Sequence, residues 1–136
     1  MGTGRTARRI LLADDDEDVH DLVHLAAARG GHEVLSVMAG KDVTRAANDM
    51  QPDIVILDLG FPDADGRDLL QQLKANPKTA GIPVIIWSGR CGNSSDRRVA
   101  LELGAEDYLQ KDDATLLLAK MDRVLLRLEQ RRALQS

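Results

Sequence analysis

The stretch from Asp53 to Gly66 reads D-I-V-I-L-D-L-G-F-P-D-A-D-G and joins a short apolar run to a loop. The run I-V-I-L (54–57) is uninterrupted and mostly β-branched, which is typical of a parallel strand buried on both faces. Asp58 follows this run directly, and a loop rich in glycine and proline comes next. In an open α/β sheet the ligand crevice lies outside the carboxyl ends of the strands. We therefore expect the Asp58 carboxylate at the mouth of such a crevice.

Three other apolar runs along the chain also end in polar side chains. They are I-L-L-A (10–13) before Asp14, Asp15 and Asp16, V-I-I-W (84–87) before Ser88, and Y-L-Q (108–110) before Lys111. Because the carboxyl ends of parallel strands meet at one edge of a sheet, these side chains are expected to converge. The convergence would bring carboxylates, one hydroxyl and one ammonium group around Asp58.

The composition indicates one globular domain. Of 136 residues 43% are hydrophobic and 29% charged, and the net charge of −4 gives no general attraction to nucleic acid or to anionic membranes. The lone Cys91 excludes an internal disulfide, and no segment approaches the ~18 apolar residues of a membrane span. Residues 1–8 lack the apolar middle of a secretion signal. We therefore expect a cytoplasmic protein without membrane contact.

The domain boundaries follow from the same survey of the chain. Residues 1–8 are predicted to be a flexible N-terminal lead-in, residues 9–131 the folded domain and residues 132–136 a C-terminal tail. The residues end soon after the predicted domain, so no segment is assigned to DNA, and no direct nucleic-acid binding is expected.

Strands and helices alternate along the chain. Apolar residues at helical spacing follow each of five apolar strands, the second of which is E-V-L-S-V (33–37). Repeated βα units with short loops imply a parallel sheet with helices on both faces. We expect the flavodoxin-like doubly wound order 2-1-3-4-5, because it makes strands one and three neighbours. This order places Asp14 and Asp15 beside Asp58.

Three carboxylates within a few ångströms require compensating charge. Two like charges ~4 Å apart repel by roughly 4 kcal/mol at an effective dielectric constant near 20. Mg²⁺ is usually held by one or two carboxylates together with other oxygen ligands and waters. We expect Asp15 and Asp58 to be direct ligands and Asp14 a ligand through water. The backbone carbonyl of Gly60 would supply a third protein oxygen.

The open face of such a metal site suits a phosphoryl group. Its oxygens favour a hydroxyl donor and a cation, which Ser88 and Lys111 supply from neighbouring strand ends. An ionised aspartate can accept a phosphoryl group as a mixed anhydride. Asp58, on the central strand, is therefore the predicted phosphoacceptor.

Taken together, these motifs resemble the receiver domain of two-component response regulators, of the chemotaxis-regulator-like kind. The resemblance covers about residues 8–128 and rests on D-D-D (14–16), the stretch 53–66, Ser88 and G-A-E-D-Y-L-Q-K (104–111). It implies a Mg²⁺-dependent transfer of phosphoryl from a sensor histidine kinase or phosphotransfer protein to Asp58. It further implies that Ser88 moves toward the phosphate and that Tyr108 is a switch aromatic that rotates inward.

The resemblance also implies how the signal leaves the domain. Rotation of Tyr108 would alter the surface made by the fourth helix, fifth strand and fifth helix, which contacts a downstream effector protein or a fused output domain. The protein would then be no enzyme, apart from its own phosphorylation and dephosphorylation at Asp58. Four apolar residues of the last helix follow 4-3-4 spacing, Leu117, Met121, Val124 and Leu128. This spacing suits packing on the sheet or a homodimer through the same surface.

Two other functional classes stay open. The first is a pseudo-receiver, an adaptor of the same fold that binds proteins without phosphotransfer. Asp112 slightly favours it, because the family normally has a cis proline after the lysine; we predict a trans bond there. The second is a hydrolase of the aspartyl-phosphate type, which needs a second acid two residues after the nucleophile, where Gly60 stands. The histidines, His20, His24 and His32, are expected to be structural or solvated.

Overall fold

The computed structural model describes residues 8–89, 94–111 and 114–135. Its strands are β1 Arg9–Ala13, β2 Glu33–Val37, β3 Ile54–Leu57, β4 Val84–Ser88 and β5 Asp107–Gln110. Its helices are α1 Glu17–Arg29, α2 Val43–Met50, α3 Gly66–Ala75, α4 Ser94–Glu102 and α5 Ala114–Gln135, with a 3-10 turn at Gly40–Asp42. The predicted alternation of strand and helix is therefore confirmed.

The five strands form one parallel sheet in the order β2-β1-β3-β4-β5. This is the predicted flavodoxin-like order, 2-1-3-4-5. Ala13 of β1 lies beside Leu57 of β3, which in turn lies beside Ile86 of β4. The central strands therefore end almost level, and the residues that follow them meet at one edge of the sheet.

Apolar residues fill both faces of the sheet because successive strand residues point to opposite sides. One face packs against α2, α3 and α4, represented by Ala47, Leu70 and Ala100. The other face packs against α1 and α5, represented by Val23 and Leu117. Helices thus cover both faces, as predicted. None of the helices in the described part of the chain is long and apolar enough to cross a membrane.

Local side chains and backbone set where several helices begin and end. The Asp16 carboxylate accepts the backbone N–H of Asp18 at 3.0 Å and caps α1. Asp65 does the same for Arg67 at 2.9 Å and caps α3. Gly104 has φ +106°, a left-handed conformation that favours glycine, and it follows the end of α4. Asp16, in the acidic run that follows β1, therefore acts as a helix cap.

The ends of the described chain differ from the sequence prediction. Arg8, assigned to a flexible lead-in, is only 6% exposed, and its guanidinium lies 3.0 Å from the Glu129 carboxylate. Helix α5 continues through 132–135, residues expected to form a tail, because Arg132 reaches Asp53 at 3.1 Å. Residues 1–7, and Asp112 with its predicted trans bond, lie outside the described residues.

Candidate functional site

The Asp14 and Asp58 side chains stand at the carboxyl ends of neighbouring strands. The Asp58 N–H donates to the Ala13 carbonyl at 2.9 Å, and the Asp14 N–H donates to the Val37 carbonyl at 3.0 Å. Both residues thereby extend the strand pairing by one position. They are 1% and 6% exposed, respectively. The sheet thus holds two carboxylates side by side in a largely buried position.

The Lys111 ammonium group lies between these two carboxylates. Its Nζ is 2.6 Å from Asp14 Oδ2 and 3.2 Å from Asp58 Oδ2. Burial lowers the pKa of Lys111, but the hydrogen bond and charge of Asp14, with those of Asp58, outweigh it and raise the pKa above its usual range. The backbone N–H of Lys111 also donates to the Ser88 carbonyl at 3.0 Å. Lys111 is therefore a firmly charged partner of both acids.

One lysine does not fully compensate the buried acids. Burial raises the pKa of Asp14 above its usual 3.8, although hydrogen bonds from Lys111 and from the Asp16 N–H act in the opposite direction. The Asp16 N–H lies 2.9 Å from Asp14 Oδ1. The neighbouring charge of Asp58 adds to the rise. Among the residues that the structure describes, two buried carboxylates therefore share one ammonium group.

A third carboxylate, that of the exposed Asp15, completes a group suited to a metal ion. Asp14, Asp15 and Asp58 each offer one oxygen, and these oxygens lie within 4.8 Å of one another. Hard carboxylate oxygens are the ligands that Mg²⁺ prefers. The donor set therefore fits the predicted ion. The distinct roles predicted for these acids and for the Gly60 carbonyl stay predictions.

Gly60, in the loop after β3, leaves space beside the Asp58 carboxylate. The Gly60 N–H donates to Asp58 Oδ1 at 3.1 Å, and a Cβ added at Gly60 would meet only that oxygen, at 3.7 Å. Gly66, by contrast, has no room for a side chain, because a Cβ there would lie 2.4 Å from the Leu59 Cα. In the sequence Gly66 ends the glycine- and proline-rich loop. In the structure its missing side chain lets α3 pack against the loop that carries Gly60.

Ser88 and Tyr108 lie at a neighbouring cleft. They are 2% and 5% exposed, and both line a cleft of about 490 Å³ between the β3–α3 loop and α4. Gly60 lines the same cleft. Tyr108 is therefore a buried residue, and its predicted inward rotation stays a prediction. The structure thus brings the predicted site residues together in two adjoining groups, one around Lys111 and one around this cleft.

His20, which the sequence predicts to be structural or solvated, contacts the backbone of the acidic group. It is 6% exposed, and its Nε2 lies 2.6 Å from the Asp14 carbonyl oxygen. A hydrogen bond from a side chain to a backbone carbonyl leaves no spacing pattern. The sequence signal was limited to the position of His20 on α1, six residues after Asp14.

Comparison with protein families gives one match that spans most of the chain. A family model described as the response regulator receiver domain matches residues 10–122. The transcriptional regulatory protein GltR of Pseudomonas aeruginosa is 35% identical over 120 residues, covering 88% of this chain and 49% of that protein. PrrA of Mycobacterium tuberculosis is 37% identical over 128 residues, covering 93% and 53%. The chain thus spans about half the length of these curated relatives.

The names of these relatives bear on the expected absence of nucleic-acid binding. RpaA of Synechocystis, named a DNA-binding dual master transcriptional regulator, is 37% identical over 120 residues, covering 88% of this chain and 49% of that protein. GltR and PrrA are named transcriptional regulatory proteins. The expectation of no nucleic-acid binding therefore conflicts with what the matched proteins do as whole molecules.

Solved structures agree with the fold. NtrX from Brucella abortus has a TM-score of 0.81 at 29% identity, over 96% of this chain and 29% of that chain. A CheY-like response regulator receiver domain protein from Methanospirillum hungatei has a TM-score of 0.81 at 24% identity, over 93% and 99%. The latter likeness concerns the fold alone.

Proposed function

The chain belongs to the response regulator receiver-domain family of two-component systems, and from this we propose that it accepts a phosphoryl group on Asp58. The observation that carries the proposal is the surplus of acid at the carboxyl end of the sheet. Three carboxylate oxygens gather there, and among the described residues one ammonium group, that of Lys111, contacts two of these acids. A purely structural cluster would be expected to balance its charges.

In the proposed reaction an Asp58 carboxylate oxygen attacks the phosphorus of a phosphohistidine. The donor would be a sensor histidine kinase or a phosphotransfer protein. The bond between phosphorus and the histidine nitrogen breaks, its electron pair stays on that nitrogen, and the imidazole takes up a proton. Lys111 and the Ser88 hydroxyl would bind the phosphoryl oxygens. Later attack by water on the phosphorus would return Asp58 to a carboxylate.

We propose that Asp15 and Asp58 bind Mg²⁺ directly, Asp14 through water and Gly60 through its carbonyl. When bound, the ion would supply positive charge to the phosphoryl oxygens and to the crowded acids. The raised pKa of Asp14 and the spacing of the three acids support this assignment. Before phosphorylation Lys111 holds Asp14 and Asp58 in place through the two contacts described above.

For the output we propose that Ser88 and Tyr108 couple the phosphate to the surface of α4, β5 and α5. Both line the same cleft, so a shift of Ser88 changes the space beside the Tyr108 ring. Arg97 of α4 lies 3.4 Å from the Tyr108 carbonyl and 3.6 Å from Asp107, and Lys120 of α5 lies 3.2 Å from Asp107. A movement of Tyr108 and its neighbour Asp107 would therefore alter the contacts of both α4 and α5.

The partner of this surface is proposed to be an effector protein, a fused output domain or a second copy of the chain. Leu101 on α4 and Leu116 on α5 are 39% and 43% exposed, which provides apolar contact area. The transcriptional names of the relatives favour an output that acts on DNA. We propose that this function is carried out in the cytoplasm.

The test is phosphorylation by a small phosphodonor. Wild-type protein incubated with acetyl phosphate and Mg²⁺ is expected to gain one phosphoryl group by intact mass, and to lose this gain when EDTA is added first. Asp58→Asn is expected to gain none, while Asp49→Asn, which changes an exposed acid of α2 outside the cluster, behaves as wild type. A folded wild type that gains no phosphoryl group would contradict the proposal and favour the pseudo-receiver adaptor.

A further inference from the structure

A chain of hydrogen bonds connects the face of α1 with the backbone of Asp14. His20 Nε2 lies 2.6 Å from the Asp14 carbonyl oxygen, and His20 Nδ1 lies 2.8 Å from the Ser36 hydroxyl. The same hydroxyl lies 2.6 Å from His24 Nε2, one helical turn further along α1. His20 is nearly buried, whereas His24 is exposed. These hydrogen bonds therefore connect α1, the edge strand β2 and the end of β1.

The direction of these hydrogen bonds follows from the donors and acceptors involved. A carbonyl oxygen only accepts, so His20 Nε2 carries a proton and donates it to Asp14. In a neutral imidazole the other nitrogen is then an acceptor, and it receives the Ser36 O–H. The Ser36 oxygen in turn accepts the N–H of His24. Ser36 and His24 thus fix both the tautomer and the orientation of the His20 ring.

The hydrogen bond from His20 constrains the backbone carbonyl of Asp14, whereas the N–H and the carboxylate of Asp14 have other partners. Its N–H is bonded to Val37, and its carboxylate is bonded to the Asp16 N–H and to Lys111. The carbonyl held by His20 belongs to the peptide that joins Asp14 to Asp15. The plane of this peptide determines where the Asp15 carboxylate stands, because Asp15 is exposed and follows directly.

We propose that His20 is a positioning residue of the acidic site, which orients the Asp14–Asp15 peptide so that the Asp15 carboxylate joins those of Asp14 and Asp58. Ser36 and His24 act behind it by holding its ring. This inference rests on the proposed function, since it assigns His20 a role in Mg²⁺ binding. The inference adds a residue of α1 to the proposed site, one that would contact neither the metal ion nor the phosphoryl group.

The test compares two replacements of His20 by calorimetric titration of the unphosphorylated protein with Mg²⁺. His20→Met keeps a similar volume without a donor, and we expect about tenfold weaker Mg²⁺ binding, as is typical when a partner of a metal ligand is lost. His20→Gln retains an N–H that reaches the Asp14 carbonyl, and we expect it to restore most of the affinity. Ser36→Ala is expected to fall between these two.

A matched control separates positioning from general destabilisation. Val23→Ala removes volume from the same buried face of α1, where Val23 is fully buried, and it leaves Asp14 untouched. It is expected to lower stability and to keep wild-type Mg²⁺ affinity. A backbone amide spectrum supplies a readout without metal: the Asp15 resonance should move in His20→Met and stay near its wild-type position in His20→Gln.

The outcomes distinguish this inference from the proposed function. Wild-type affinity in His20→Met, or equal weakening in Val23→Ala, would overturn the role of His20 while leaving the proposed function intact. If wild type binds no Mg²⁺, the proposed function fails and the metal role of His20 fails with it. An unmoved Asp15 resonance in His20→Met would overturn the positioning of the peptide in either case.

Discussion

The two ends of the sheet carry groups of charged side chains that differ in their balance of acids and bases. At the carboxyl end the oxygens of three acids, Asp14, Asp15 and Asp58, lie close together, and in the described part of the chain one ammonium group contacts two of them. At the amino end two guanidinium groups meet two carboxylates, in a network formed by Arg8, Arg132, Asp53 and Glu129. The first group lacks positive charge, whereas the second is neutral within itself.

The balanced network has a structural role. Arg8 lies 3.0 Å from Glu129 of α5 and 3.9 Å from Asp53, which directly precedes β3, while Arg132 of α5 lies 3.1 Å from Asp53. These pairs fasten the last turns of α5 to the sheet. The network holds two positive and two negative side chains, so it offers no surplus charge for a ligand to neutralise. Buried charge alone therefore does not indicate a functional site; an uncompensated surplus does.

The largest effect is expected at the balanced end. Arg8→Met should lower the free energy of unfolding by about 2 kcal/mol, because it removes the nearly buried guanidinium that pairs with Glu129, while Asp53 keeps its contact with Arg132. The control is Arg45→Met, which breaks an exposed pair with Asp49 and should cost about 0.5 kcal/mol or less. Urea unfolding of both variants measures the difference. Equal costs would show that the Arg8 network contributes no more than a surface pair.

At the carboxyl end of the sheet, by contrast, removing one charge is expected to raise the free energy of unfolding. In the absence of Mg²⁺, Asp58→Asn should raise the free energy of unfolding by about 1 kcal/mol, because it removes one of the mutually repelling charges while Lys111 keeps its contact with Asp14. Urea unfolding in EDTA measures this change. A loss of stability in the metal-free protein would mean that the acidic group is already compensated.

The smallest effect concerns an exposed acid, Asp63, whose pKa moves opposite to that of Asp14. The backbone N–H groups of Lys41 and Gly40 donate to its carboxylate, at 3.0 and 2.9 Å, and hold its pKa below 3.8. The stability contributed by the charged form is therefore complete above the unfolded pKa and is lost as pH falls through the lower folded pKa.

Asp63→Asn should accordingly be less stable than wild type by a constant margin at neutral pH, and the margin should shrink below pH 3.8. Thermal unfolding as a function of pH measures it. Asp49→Asn, on the exposed face of α2, serves as the control for a general loss of one acid. A margin that stays unchanged into acid would show that the two backbone donors do not stabilise the Asp63 carboxylate.

The sequence predicted the fold and the acidic group because both depend on strand ends. The apolar runs define the strands, and the flavodoxin-like order then forces the side chains after β1 and β3 together. The buried Arg8 and the extension of α5 were not predictable in this way. Arg8 and Arg132 are stabilised by partners far away in the sequence, Glu129 and Asp53, and no local spacing indicates such pairs.

The contact of His20 with Asp14 was missed for a related reason. The sequence predicts only that His20 is structural or solvated, whereas the structure shows its ring in contact with β2 and the end of β1. The partner of His20 is a backbone carbonyl, and every residue has one. The presence of an aspartate at position 14 therefore does not predict this hydrogen bond. Such a contact emerges only from three-dimensional coordinates.

The central claim is that the acid surplus at the carboxyl end of the sheet selects a divalent cation, while the balanced amino end does not. Calorimetric titration with Mg²⁺ tests it in wild type, Asp58→Asn and Asp53→Asn, each confirmed to be folded. We predict one Mg²⁺ site in wild type, the same site in Asp53→Asn and no measurable binding in Asp58→Asn. Equal binding by all three proteins, or no binding by wild type, would contradict the claim.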